Sequence, residues 1–358
     1  MKKLKAFARK LAGFALAMLL VFVLIEGLSG VALMVTTFAA SASRVPVGGR
    51  HAQHDAELGW VNLPSFSRKD FYGPGEHLTQ NAHGFRDGRE IEAQIAPNRL
   101  RVLCSGDSFT FGSGVGDDHP FAHLLGAIDP AIEPVNLGVT AYGVDQAYLF
   151  YLREGLKLDH DVHLFSFIRD DFRRMTLTTY DRASKPILRL RDGALVVENV
   201  PVPKRGFSMP ALGSAISAFR ASHIPTLWGT IRAPKEAPKE QSDPLVTALV
   251  VFDELQKLAT SRRATLLLMY IPVEEELDEL PLWPRYLATE LAAKGILFLD
   301  LTRDFQALPR EARRRLYLRP GEPAPGHLSN GGNALVAKLL HEKLAAIPAV
   351  AEKLARLR

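Results

Sequence analysis

Arg101-Val102-Leu103-Cys104-Ser105-Gly106-Asp107-Ser108-Phe109-Thr110-Phe111-Gly112 is the stretch that decides how the other residues of this 358-residue chain are read. Its apolar run is too short for a helix and ends in a small polar turn that leads into a helix-like segment. Four further short runs follow the same plan, at 134–139, 162–168, 264–272 and 296–302, with helix-patterned stretches at 244–262 and 283–294. Runs that are apolar at consecutive positions are those of strands buried on both faces, which predicts a parallel sheet covered by helices on each side. In such sheets the chemistry collects at the carboxyl ends of the strands, so it is sought just after each run. Ser108 sits at the first of these places. A serine hydroxyl becomes a nucleophile when a nearby base takes its proton, and a strand-to-helix turn exposes it beside free backbone N–H groups able to stabilise an oxyanion. The bland reading of the same residue is a helix cap.

Other segments add to that turn. Asn81-Ala82-His83-Gly84-Phe85-Arg86-Asp87 lies upstream; Asn136-Leu137-Gly138 with Tyr142-Gly143, and His327-Leu328-Ser329 with Gly332-Asn333, lie downstream. Taken in order with Gly106-Asp107-Ser108, they resemble the blocks of the SGNH/GDSL hydrolases, the first being similar to the lead-in of bacterial membrane-anchored members. The resemblance implies a flavodoxin-like three-layer α/β sandwich with a parallel sheet over residues 99–345. It also implies Ser108 as nucleophile, His327 as general base, and the N–H groups of Ser108 and Gly138 as oxyanion donors. Base and donors have physical tasks: the imidazole must reach the hydroxyl, and the donors must point to where negative charge develops.

Two positions depart from the pattern. Where the family's third block offers an asparagine, this chain has Asp170 within Ile168-Arg169-Asp170-Asp171. A carboxylate has no N–H to give, so an oxyanion role for Asp170 requires its protonation, which burial favours. The other readings are a shifted local register, a positive charge from Arg169 or Arg173, or strand-end carboxylates paired with Arg169, Arg173 and Arg174. Secondly, Ala324 and Pro325 stand where the family places an aspartate to orient the histidine. Glu322 and Asp300 are the candidate third triad members, and a backbone carbonyl behind the imidazole is the remaining option.

The N-terminus has a different character. Residues 11–40 contain one charge, Glu26, and are long enough for a transmembrane helix, since about 20 helical residues cross a hydrocarbon core. Five of the 44 basic residues fall within the first ten positions, and of the 39 acidic residues only Glu26 precedes residue 41, so the net charge of +5 reduces to +1 beyond residue 40. A globally basic surface for nucleic acid is thereby excluded. The basic cluster before the helix predicts residues 1–10 in the cytoplasm and the rest exported, anchored in the inner membrane with the catalytic domain periplasmic. Ala40-Ser41-Ala42 resembles a signal cleavage site, but it lies far from the basic end, and an uncleaved anchor is expected. Glu26 reads as the mark of a partner helix or as a charge served by local water around a tilted span.

Residues 41–98 read as a loop-rich juxtamembrane segment, about 173–243 as an insertion with a hairpin around Asp192-Gly193, and 346–358 as a C-terminal tail. The aromatic and basic stretch 219–232 suits lipid headgroups, a substrate groove or plain packing. Cys104, alone in the chain, excludes an intramolecular disulfide and a cysteine-rich zinc site, and reads as a small core residue. His51 and His54 have metal-like spacing but no clustered partners, so no metal is expected, and no organic cofactor. The expected activity is that of a membrane-anchored serine esterase acting on acyl esters, with O-acyl groups of an envelope polysaccharide or lipid as the substrate class. The alternatives are an O-acyltransferase using the same acyl-serine intermediate and a non-catalytic SGNH-like envelope module.

Overall fold

The five apolar runs become five parallel strands. In the computed structural model, which describes residues 2–42, 51–181, 183–204, 243–278 and 283–358, these are β1 (Leu100–Gly106), β2 (Ile132–Gly138), β3 (Val162–Phe167), β4 (Thr265–Tyr270) and β5 (Leu297–Asp300). They pair in the order β2-β1-β3-β4-β5, with Gly106 level with Gly138, Ser105 with Phe165, and Tyr270 with both Phe167 and Asp300. That is the flavodoxin-like order. The chain leaves β1 toward one edge and returns toward the other at β3, so a crevice opens beyond the carboxyl ends of β1 and β3. Ser108 follows β1, and Asp170 follows β3.

Alternation along each strand divides the core in two. Leu103, Phe165, Phe167, Leu266, Leu268 and Tyr270 face one side; Val102, Cys104, Leu164, Leu267 and Met269 face the other, all of them buried. Helices α4 (Val144–Arg153), α6 (Pro244–Ser261) and α7 (Trp283–Ala293) cover the first side through residues such as Tyr151, Phe252 and Leu287. On the second side lie α3 (Phe121–Ile128), α8 (Asn330–Ala345) and α9 (Pro348–Leu357), with Leu125, Leu340 and Leu354. Each such side chain contributes roughly 1.5–3 kcal/mol by leaving water. Continuous apolar strands are thus the sequence signature of burial from both sides.

Two expectations about the flanks are corrected. Residues 51–98 are built into the α/β unit: the antiparallel hairpin 52–62 buries Trp60, whose indole N–H donates to Thr140 O at 2.9 Å, and Asn62 Nδ2 donates to Gly84 O and Gly138 O, each at 3.0 Å. Residues 348–357 form a helix whose Val350 and Leu354 are buried, and Lys353 pairs with Asp161 at 2.5 Å. The predicted Asp192-Gly193 hairpin is formed by residues 187–191 and 194–198, with both turn residues at positive φ, as a two-residue hairpin turn requires. Most of the remaining insertion, including 219–232, lies outside the described residues.

The α1 helix (Lys2–Ala42) belongs to a separate unit. The basic cluster at its start is helical too. Lys3–Ala32 is long and apolar enough to cross a membrane: 30 residues rise about 45 Å, against about 30 Å of hydrocarbon.

Candidate active site

The turn after β1 is fixed by close packing. A Cβ on Gly106 would lie 2.1 Å from Thr110 Oγ1 and 2.6 Å from Ser166 O, so only glycine lets α2 (Ser108–Phe111) fold back onto β3. Asp107 caps this single turn, its Oδ1 accepting Phe109 N–H at 2.9 Å. Gly112, at φ 78°, ends it in the left-handed conformation. The carbonyls left at its end are met by a buried guanidinium: Arg86 donates to Phe111 O at 2.7 Å, to Val115 O at 2.5 Å and to Gly112 O. This accounts for the upstream motif. Asn81 Oδ1 accepts the N–H groups of His83 and Phe85, each at 3.0 Å, in a turn that delivers Arg86 to α2.

His327 reaches Ser108 from a loop before α8. Ser329 caps α8, its Oγ accepting Gly332 N–H at 3.2 Å, and Leu328 pairs with Tyr317 in an isolated bridge. Between these anchors the His327 ring packs 4.9 Å from the Phe109 ring, with Nε2 2.8 Å from Ser108 Oγ. Its Nδ1 lies 3.0 Å from Ala324 O. Because a carbonyl can only accept, the Nδ1–H tautomer is assigned, which leaves the Nε2 lone pair facing the serine hydroxyl. Burial lowers the His327 pKa from 6.5, against an opposing pull from the Asp107 carboxylate, so the ring is neutral near pH 7.

The proposed third triad members are both corrected. Glu322 is exposed and accepts the backbone N–H of Arg319. Asp300 caps the turn after β5, accepting Thr302 N–H at 2.9 Å and Thr302 Oγ1 at 2.5 Å. It also ends the edge strand, three strands and about 14 Å of sheet from β1. The group behind His327 is the Ala324 carbonyl.

Gly138 is corrected as well. Its N–H donates to Asn136 Oδ1 at 2.9 Å, and a Cβ there would come within 2.3 Å of Phe111 N, so this glycine is a packing position beneath α2. The loop beyond it presents another backbone N–H. Ala141 has φ 65°, rare for a residue with a Cβ, and its N–H takes no partner among the described residues. This loop is tied to the serine turn by Val139 N–H to Gly106 O at 3.2 Å and by Ser113 Oγ to Thr140 Oγ1, also at 3.2 Å. Ser108 N–H, at the start of α2, is likewise without a partner in that set.

The protonated-donor reading of Asp170 is corrected. Its carboxylate accepts from Arg173 Nε at 2.6 Å, Arg173 Nη2 at 3.1 Å and Arg174 Nε at 3.0 Å. Burial pushes its pKa up, but the two guanidinium groups outweigh that and hold it below the usual carboxylate range. Asp170 is therefore ionised. Arg174, at i+4 from Asp170, also donates to Asp171 Oδ1 at 2.8 Å, Tyr142 O at 2.9 Å and Asp107 Oδ2 at 3.3 Å. The pairing of Asp170 and Asp171 with Arg174, one of the readings open from sequence, is the one observed; what sequence reading did not reach is that Arg86 and Arg174 also bind the turn around Ser108.

The remaining candidates are structural. His51 stacks on Phe111 with ring centres 5.1 Å apart, and burial, reinforced by Arg86, lowers its pKa to about 4. Among the described residues no three His, Cys, Asp or Glu side chains gather as a metal site. Burial pushes the Cys104 thiol up to about 12, as for an inert core residue.

No protein-family description matches the sequence, and no curated protein matches it. Several solved structures are similar to the chain. A lipolytic protein of the G-D-S-L family from Desulfitobacterium hafniense shares 17% identity over 68% of this chain and 99% of its own, with a TM-score of 0.36. One from Veillonella parvula shares 13% over 69% and 100%, with a TM-score of 0.38. A catalytic mutant of an acetylxylan esterase from Geobacillus stearothermophilus shares 15% over 68% and 93%, with a TM-score of 0.39. At these identities and TM-scores no activity passes from those proteins to this chain.

Proposed function

We propose that this chain is a serine esterase of SGNH type that cleaves acyl esters through an acyl-Ser108 intermediate. The observation that carries the proposal is the 2.8 Å approach of His327 Nε2 to Ser108 Oγ, with the tautomer set from behind by Ala324 O. In acylation His327 takes the hydroxyl proton as Ser108 Oγ bonds to the ester carbonyl carbon. The carbonyl oxygen becomes an oxyanion facing the N–H groups of Ser108 and Ala141, and each such donor is typically worth about 3–4 kcal/mol to the transition state. The imidazolium returns the proton to the departing alkoxide. Water, deprotonated by His327, then bonds to the acyl carbon, and the imidazolium returns the proton to Ser108 Oγ as the acyl–Oγ bond breaks and the acid leaves.

The apolar α1 helix is read as an uncleaved anchor in the cytoplasmic membrane, its basic start inside and the α/β unit outside. An exported esterase held at the membrane meets envelope esters, so O-acyl groups of polysaccharide or lipid are the proposed substrates. A second reading, a non-catalytic envelope module, draws on one observation: ionised Asp170 stands near the site where the family has an amide donor. Labelling of the purified full-length protein with a fluorophosphonate decides between them. Covalent labelling that disappears in Ser108→Ala, with the melting temperature little changed, is the expected result; an unlabelled wild type, or equal labelling of the mutant, overturns the esterase.

A further inference from the structure

Neither Glu322 nor Asp300 reaches His327, yet one buried acid lies on the nucleophile's own side of the site. Asp107 is 1% exposed and precedes Ser108 in the chain. Its Oδ1 is fixed by the Phe109 N–H, while Oδ2 lies 3.5 Å from Ser108 Oγ and 3.3 Å from Arg174 Nη1. Arg174 is itself held from several directions. It bonds Asp171, Asp170 and Tyr142 O, and the Tyr180 ring lies 5.1 Å from its guanidinium carbon. Behind it, Lys185 Nζ donates to Arg174 O at 3.2 Å and pairs with Asp145, both side chains fully buried. The Asp107 carboxylate therefore cannot swing away without leaving a buried guanidinium under-satisfied.

We propose that Asp107 is the charge partner of the Ser108–His327 pair, a positioning carboxylate acting from the serine side in place of one behind the histidine. The proposal rests on the esterase reading above. When His327 takes the Ser108 proton, its Nδ1–H remains bonded to the neutral carbonyl of Ala324, which offers a dipole but no charge. The negative charge that favours the imidazolium comes from Asp107, across a buried gap where attraction is weakly screened. No proton moves to Asp107. The other charged group acting on the imidazole is Arg174, which opposes its protonation; Asp170 and Asp171 on α5 (Arg169–Arg174) are tied to that guanidinium, and Glu322 on the histidine loop is exposed and accepts Arg319 N–H. The direction of each electrostatic effect on His327 agrees: Asp107 raises its pKa and Arg174 lowers it.

The test is an NMR titration of His327 in the full-length, histidine-labelled protein in detergent micelles, with the signal assigned by His327→Gln. Asp107→Asn and Asp107→Ser each keep a side-chain oxygen for the Phe109 N–H and remove the charge. Both are expected to lower the His327 midpoint by about one pH unit. A purely structural role would change the melting temperature and leave the midpoint in place, and an unmoved midpoint in the folded variants overturns the proposal. Fluorophosphonate labelling of the wild type runs in parallel. Absence of labelling sinks the esterase, while the titration still reads the coupling of Asp107 to His327, so the two failures are told apart.

Discussion

The Nδ1 of His327 lies 3.0 Å from the carbonyl oxygen of Ala324, three residues back in the same loop. A backbone carbonyl fixes the tautomer as well as a carboxylate would, but it adds no full charge to the imidazolium. The proposed base is thus a buried histidine with a pKa below 6.5. Being active when neutral, it is fully competent above that value and is lost as the pH falls through its lowered midpoint. Phosphonate labelling rates measured against pH should be flat above about pH 6.5 and decline in acid. A midpoint above 7 contradicts the burial that dominates this site.

Asp170→Asn removes a negative charge at the position after β3 where the SGNH reading calls for an amide, and introduces an N–H donor. Esterase turnover should rise, on the order of tenfold, since a well-placed donor is worth at least that much. Stability should change by less than about 1 kcal/mol, because the ion pairs lost are partly exposed helix pairs. A large loss of turnover with the fold intact means that the carboxylate itself has a task.

The sheet was legible because burial on both faces forces continuous apolar runs, and each run of the sequence lies within two residues of an observed strand. Ser108 was legible because a polar turn interrupts such a run at its carboxyl end. What escaped reading depends on contacts between distant residues. Arg86 reaches Gly112 across 26 positions, and Arg174 reaches Asp107 across 67; no periodicity links them. Gly138 misled for another reason. A glycine suggests an open backbone, whereas here it makes room for Phe111, and the N–H left without a partner among the described residues belongs to Ala141, whose side chain hides its left-handed conformation. For the C-terminal helix, Val350 and Leu354 at i and i+4 were an available sign of docking.

Gly138→Ala separates packing from catalysis, because alanine keeps the backbone N–H. Its Cβ would meet Phe111 N at 2.3 Å and Phe111 Cα at 2.8 Å, backbone atoms that cannot turn aside. A loss of about 2–3 kcal/mol is expected, read as a fall of roughly 5–10 °C in melting temperature. Ala141→Gly should do the opposite: relieving a positive φ gains up to about 1 kcal/mol, and the N–H remains to serve the oxyanion, so turnover is kept. An unchanged melting temperature for Gly138→Ala contradicts the packing assignment.

His51 ties acid stability to the nucleophile helix through its stacking on Phe111. Its pKa is about 4 in the folded protein and about 6.5 when the chain unfolds. Between those values the unfolded chain binds a proton that the native ring refuses, so stability is complete above pH 6.5 and falls as the pH drops toward 4. By linkage this one residue costs the fold about 3 kcal/mol across that window. His51→Phe, which fills the same cage beside Phe66, Phe71 and Phe111, removes the titration. Urea unfolding followed by tryptophan fluorescence at pH 7 and pH 4.5 should show a smaller acid loss in the variant than in the wild type. Equal losses in the two proteins would mean that His51 does not stay neutral in the fold.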